Sequence, residues 1–129
     1  MGRPAAPRGC DADRRRSERR RRRLVIRGGI YQIDLGQPRG HEQGGKRYGV
    51  VISPSDIGLP VVTVVPTSKS AQSSVVRPEV EILGDTTRLL IDQIRSIDEN
   101  YVGELVELLP RDDYRALMAV IVRYYDIEL

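Results

Sequence analysis

The spacing of apolar and polar positions changes period several times along the chain, and each change marks an element. Across residues 24–35 (LVIRGGIYQIDL), Ile30, Gln32 and Asp34 alternate with Tyr31, Ile33 and Leu35, the period of two of a half-buried strand. Residues 48–53 (YGVVIS) hold a short β-branched run that suits a strand buried on both faces. A similar run at 61–65 (VVTVV) meets Pro66, which predicts a strand end because proline has no N–H to give a ladder. Residues 78–83 alternate again, with Val80 and Ile82 opposite Glu79 and Glu81, before Gly84 and Asp85 turn the chain. Residues 88–97 (RLLIDQIRSI) predict a fifth strand, with Leu89, Ile91 and Gln93 on one face and Leu90, Asp92 and Ile94 on the other. Residues 102–108 give a further short extended segment. The period then lengthens. Tyr114, Leu117, Met118, Ile121 and Tyr125 recur at three- and four-residue spacing, the stripe of an amphipathic helix. Pro110 suits its first position, and Asp112 and Asp113 sit near the positive end of its dipole.

Short strands in succession followed by one helix predict a mainly β fold, a small, strongly bent antiparallel barrel of SH3-like kind with a C-terminal helix across the strands. Residues 1–23 do not belong to it. They hold ten arginines against three acidic residues, a net charge of +7, in a low-complexity setting of Pro, Ala and Gly. Such a run repels itself and buries nothing, which predicts a disordered tail ahead of one folded domain over 24–129. Its arginines could clamp nucleic acid through the phosphates. The favoured reading is a dispensable extension upstream of a start near Leu24 or Val25, because a complete first strand follows immediately.

Composition narrows the picture. With no Phe and no Trp, the core must rest on Val, Ile, Leu and six Tyr. No apolar run approaches the roughly 20 residues that span a bilayer, and none follows the basic N-terminus as a secretory signal would. A single cysteine, Cys10, excludes an internal disulfide, so a cytoplasmic location and no membrane are expected. Beyond the tail, eleven bases face fifteen acids; residues 24–84 carry +1 and residues 85–129 carry −5. An anion-binding face should therefore come from the first half.

The candidate chemistry lies between the first two strands, in a loop with Gly36, Pro38, Gly40, Gly44 and Gly45. Glycine lets backbone N–H groups approach a ligand without side-chain obstruction. Lys46 and Arg47 add two positive charges where the chain enters the second strand, a plausible phosphate site.

Within that loop Gly40-His41-Glu42-Gln43-Gly44-Gly45-Lys46-Arg47 has the form G-x-E-Q-x-G-x-R. With VVTVVPTS at 61–68 and LIDQIRSID at 90–98 following in order, the chain from about Val25 onward resembles the MazF/PemK toxins, the ribonuclease halves of bacterial type II toxin–antitoxin pairs. The resemblance implies a PemK-type barrel and a metal-independent, sequence-specific endoribonuclease that cleaves single-stranded RNA and inhibits translation. It implies attack by the 2′-OH, giving a 2′,3′-cyclic phosphate and a 5′-OH. It also implies a homodimer with its RNA groove across both subunits, and a cognate antitoxin whose extended segment occludes that groove.

The resemblance places the family's key arginine at Arg47. The family's threonine, two residues beyond a proline, falls at Ser68, with Thr67 beside it. Glu42 and Gln43 would read base edges or brace Arg47, and Lys46 would meet phosphate. Tyr48 stands where the family has proline, which fixes φ near about −65° and stiffens the loop exit; its ring could stack on a base. Lys69 and Arg77 flank the polar loop 67–74 as candidate RNA-backbone contacts. Gln93 is a candidate contact or brace, and His41 a loop residue that could touch RNA.

The residues themselves favour arginine chemistry. His41 is the sole histidine, which rules out a two-histidine acid–base pair. Asp112 and Asp113 would point about 100° apart on a helix, no Cys/His spacing suits zinc, and there is no nucleophile elbow. No metal or other cofactor is therefore expected. A reading from another class is a non-catalytic toxin of the same fold that binds a protein target such as DNA gyrase; the arginine-bearing loop argues against it. A third is a basic nucleic-acid-binding module driven by the tail.

Overall fold

β1 (Gly29–Asp34) and β2 (Lys46–Val51) form an antiparallel hairpin with Ile30 facing Val50 and Ile33 facing Arg47. The structure, a computed structural model, describes residues 25–55 and 57–129, so the disorder expected of residues 1–23 lies outside the described residues. β3 (Val61–Ser68) runs beside β2, and β4 (Glu79–Ile82) and β5 (Asp85–Leu89) make a second hairpin. β6 (Arg95–Asp98) and β7 (Val102–Leu108) precede the helix α1 (Arg111–Tyr124). The order across the sheet is β4-β5-β3-β2-β1-β7, with β6 on the free side of β3 and every pairing antiparallel. The mainly β half-barrel with a C-terminal helix is the expected architecture.

Alternation divides the core in two. Ile30, Val50, Val65 and Leu89 cluster with Leu117 and Ile121 of α1. Tyr31, Ile33, Val51 and Val64 form the opposite cluster with Ile97 and Val102. Leu117 is 0% exposed, and burying each such side chain stabilises the fold by about 1.5–3 kcal/mol. Ile33 lies over Gly49, where an added Cβ would come 2.5 Å from Ile33 Cδ1, so any larger residue would have to displace the end of the buried Ile33 side chain.

Four sequence expectations need correction. The first strand begins at Gly29, after a turn at Arg27 and Gly28, and not at residue 24. Pro66 does not end β3, which continues to Ser68. The reason is a change of neighbour: Val61 to Val64 pair with β6, whereas Thr67 and Ser68 pair with β5. Pro66 stands at the switch, where its missing N–H breaks no ladder, and its carbonyl accepts from Leu90 N at 2.9 Å. Residues 88–97 are not one strand. Leu89, Leu90 and Ile91 are all 0% exposed, so the period of two fails there, and a 3-10 turn at Ile91–Gln93 separates β5 from β6. Finally, Pro110 precedes α1 as its N-cap, and Tyr125 lies past its last turn and is exposed.

That 3-10 turn is tied to the segment before β4. Arg77 grips Asp92 with both arms of its guanidinium, Nε to Oδ1 at 3.0 Å and Nη2 to Oδ2 at 2.7 Å, with side chains 19% and 24% exposed. The bond holds the Asp92 carboxyl below the usual carboxylate range and Arg77 above its ordinary value, against the opposing cost of burial. A depressed carboxylate contributes stability above its unfolded pKa and loses it as pH falls through the folded value. Asp92→Asn should therefore cost about 1–2 kcal/mol at neutral pH. Urea titrations should show the gap from wild type closing below about pH 4; a gap independent of pH would mean that the pair contributes only packing.

Candidate active site

The loop between β1 and β2 is closed at its base before it reaches the site. Asp34 Oδ1 accepts from Gly36 N at 2.9 Å, Gly45 N donates to Gly36 O at 2.7 Å, and Leu35 N donates to Gly45 O at 3.0 Å. Gly36 and Gly45 have φ of 70° and 75°, which glycine adopts at little cost. The tip is held from behind by the segment after β5. Gln93 Nε2 donates to His41 O at 3.2 Å, and Gln93 Oε1 accepts from Gln43 N at 3.3 Å. Arg95 Nη2 donates to Leu35 O at 2.6 Å, and Arg95 Nη1 lies 3.8 Å from Glu42 Oε2.

Arg47 joins this loop to β3. Its Nε donates to Gly44 O at 3.1 Å and its Nη1 to Thr67 O at 2.9 Å. The Thr67 hydroxyl donates to Tyr48 O at 2.8 Å. The register pairs Gly49 with Pro66; carried two steps further, it sets Tyr48 against Thr67 and Arg47 against Ser68. Arg47 Nη2 and the nearly buried Ser68 hydroxyl have no hydrogen-bond partner among the described residues. Partial burial holds the Arg47 pKa below its ordinary value, yet a guanidinium stays protonated at neutral pH.

A cavity of about 920 Å³ opens here. Seven of the ten sequence-derived candidates line it: Gln43, Lys46, Arg47, Tyr48, Thr67, Ser68 and Lys69. The other three do not. Gln93 and Glu42 belong to the loop's support, and Arg77 is engaged with Asp92. His41 is exposed and offers the site only its backbone carbonyl, to Gln93. Lys69 Nζ meets Asp85 Oδ2 at 2.8 Å with both side chains 63% exposed, and this bond raises the Lys69 pKa. An exposed pair of this kind is weak, so Lys69 can turn to an anionic ligand at little cost.

Gln32, Asp34 and Tyr101 line the cavity too, and sequence reasoning missed all three. The one available signal was that Gln32 and Asp34 share the Ile30 face of β1 beyond its buried part. Among the described residues, no group of three or more His, Cys, Asp or Glu side chains could hold a metal ion, and no helix is long and apolar enough to cross a membrane.

A model of the PemK-like, MazF-like toxins of type II toxin–antitoxin systems matches residues 26–124. The chain belongs to this family. It is 52% identical over 103 residues to the toxin candidate Rv3098A of Mycobacterium tuberculosis (strain ATCC 25618 / H37Rv), covering 78% of this chain and 97% of that protein. Among solved structures, MazF of Deinococcus radiodurans superposes with a TM-score of 0.72 at 21% identity, over 81% of this chain and 98% of that one. An endoribonuclease from a mycobacterial species, in complex with its cognate antitoxin, gives 0.67 at 13% identity over 81% and 98%. At these identities the structural likeness shows the fold alone, and the family assignment rests on the sequence.

Within this PemK/MazF-family toxin, Gln93 has a role that can be tested. Gln93→Ala removes both side-chain bonds to the loop tip and should cost about 1–2 kcal/mol of stability. Hydrogen exchange should show the Gln43 amide losing protection while β1 amides keep theirs. Equal loss throughout the sheet would mean that Gln93 supports the core and not the loop.

Proposed function

We propose that this toxin is an endoribonuclease that cleaves single-stranded RNA without a metal ion and so inhibits translation. The observation that carries this reading is the setting of Arg47. Two of its nitrogens are anchored on Gly44 O and Thr67 O, Nη2 has no partner among the described residues, and Arg47 and Ser68 line one cavity.

RNA brings its own nucleophile. Attack of the 2′-OH on the neighbouring phosphorus forms a 2′,3′-cyclic phosphate and releases the 5′ oxygen. The protein's task is to orient the strand and compensate charge on the phosphorane. Arg47 and Ser68 donate to the phosphate oxygens, and Lys46 and Lys69 meet flanking phosphates. The Thr67 hydroxyl is already spent on Tyr48 O, so Thr67 acts by fixing the strand that holds Arg47. The protein works in the cytoplasm as a homodimer, and a cognate antitoxin covers the cavity. The antitoxin complex of the mycobacterial endoribonuclease and the MazE–MazF pairing of D. radiodurans support that last part. The domain over 24–129 suffices for activity.

The test is a gel assay on single-stranded RNA with EDTA present, using the full chain, residues 24–129, and each with Arg47→Ala. Cleavage should survive loss of the tail and fall at least about 100-fold in both Arg47→Ala proteins. Ser68→Ala should also be impaired, with its melting temperature unchanged. Inactivity of all forms across varied RNAs would favour a protein target. Cleavage that vanished with the tail but survived Arg47→Ala would make the tail the active part.

A further inference from the structure

The cavity has two chemically different walls. One carries Lys46, Arg47, Ser68 and Lys69 and suits phosphate. The other is built where β1 meets the start of β7, and it adds a carboxylate, an amide and an exposed aromatic ring: Asp34, Gln32 and Tyr101, with Lys46 of β2 paired to Asp34 at its border. A carboxylate repels phosphate, so this wall needs a different occupant.

Its geometry follows from strand pairing. Ile33 pairs with Val102, and one step further sets Tyr101 against Asp34, while Lys46 pairs with Asp34 from the other side. Ile33 turns into the core, so Asp34 lies on the opposite face of β1. Tyr101, the last residue of a 3-10 turn (Glu99–Tyr101) just ahead of β7, lines the same cavity. Gly103 lies alongside, where an added Cβ would come 3.1 Å from Gln32 O, so β7 packs tightly on Gln32 there. Tyr101 is 55% exposed and stacks on no other ring among the described residues. Yet the turn that carries it is held: Glu99 N donates to Pro60 O at 2.9 Å, and Asn100 N donates to Asp98 Oδ1 at 2.8 Å. An exposed ring on a fixed turn, with unspent hydrogen-bonding groups on the adjacent strand, fits a flat ligand with a polar edge. Asp34 Oδ1 serves Gly36 N, and Oδ2 is left to accept.

We propose that Gln32, Asp34 and Tyr101 form a nucleobase subsite for a nucleotide adjoining the scissile phosphate, and that it takes a base carrying an exocyclic amino group. Tyr101 stacks on the base, Asp34 accepts from its amino group, and the Gln32 amide meets the remaining edge. Uracil, which has no amino group, is the base rejected. β1 and β3 lie two strand spacings apart, about 10 Å, so one nucleotide can reach from Ser68 to this wall. The inference rests on the ribonuclease reading of the neighbouring wall, and it supplies a sequence preference for that reaction.

Two measurements on the full chain separate the inference from that reading. The first is binding of 2′-deoxy oligonucleotides, which lack the attacking hydroxyl, with one position varied among G, A, C, U and hypoxanthine, the last being guanine without its amino group. The second is cleavage of the matching RNAs. Guanine should bind at least about fivefold better than hypoxanthine or uracil at one position, and Tyr101→Ala should weaken binding of every base there by at least about fivefold. Asp34→Asn keeps the Oδ1 acceptor for Gly36 N, so the hairpin stays closed; it should abolish the preference for amino-bearing bases, and equal melting temperatures would verify the fold. Amino-dependent binding without cleavage of any RNA would uphold the subsite and overturn the ribonuclease reading. Cleavage with a preference unaltered by Asp34→Asn and Tyr101→Ala would do the reverse. Failure to bind any strand would overturn both.

Discussion

The register between β2 and β3 is the constraint on which the site depends. Gly49 opposite Pro66 brings Tyr48 to Thr67 and Arg47 to Ser68, and the Thr67 hydroxyl secures that alignment on the Tyr48 carbonyl. A slip of one residue would turn every side chain of β2 to the other face and remove the Arg47 anchor on Thr67 O. β3 is itself pinned along its other edge, where it pairs with β6 through Val61 to Val64 and with β5 through Thr67 and Ser68. One strand thus serves three neighbours, and two of the residues that fix its position, Thr67 and Ser68, also line the cavity.

The loop that supplies the other anchor is made rigid by a different means. Most of its length has no ladder of its own, so order comes from Gly36 and Gly45 at the base and from Gln93 and Arg95 behind it. Arg47 is consequently held by both a loop carbonyl and a strand carbonyl. Donors fixed before the substrate arrives need no reorganisation when charge develops on the phosphorane. Local placement matters the more because residues 24–129 carry more acids than bases. Under the proposed ribonuclease function their net charge would not draw RNA in general, and the cluster of Lys46, Arg47 and Lys69 would do so in one place.

What the sequence made legible was mostly local. The G-x-E-Q-x-G-x-R block, the alternation of β1 and β4, and the helical stripe each depend on residues close together in the chain, and seven of the ten candidate site residues do line one cavity. The failures are non-local. Pro66 reads as a stop unless it is known that β3 changes partner there. Leu89, Leu90 and Ile91 read as alternating unless it is known that the strand gives way to a 3-10 turn there and that all three are buried. Arg77 looked like a free cation because its partner, Asp92, lies fifteen residues away. The wall of Gln32, Asp34 and Tyr101 comes from β1 meeting the start of β7, a pairing that no spacing along the chain encodes.

Tyr48 shows how a departure from a family motif is absorbed. A proline there would stiffen the loop exit through its fixed φ. Tyr48 has no such restraint, but its side chain packs half-buried against the cluster of Ile30, Val50 and Val65, and its carbonyl is held by Thr67. Tertiary contacts therefore do what a covalent ring does elsewhere, and Arg47 keeps both anchors. The exchange also changes the site chemically. It places a phenol on the cavity wall, which Lys69 also lines, where a proline would offer only a hydrocarbon ring. Rigidity at this position is thus compatible with more than one residue type, whereas the surface shown to a bound strand is not.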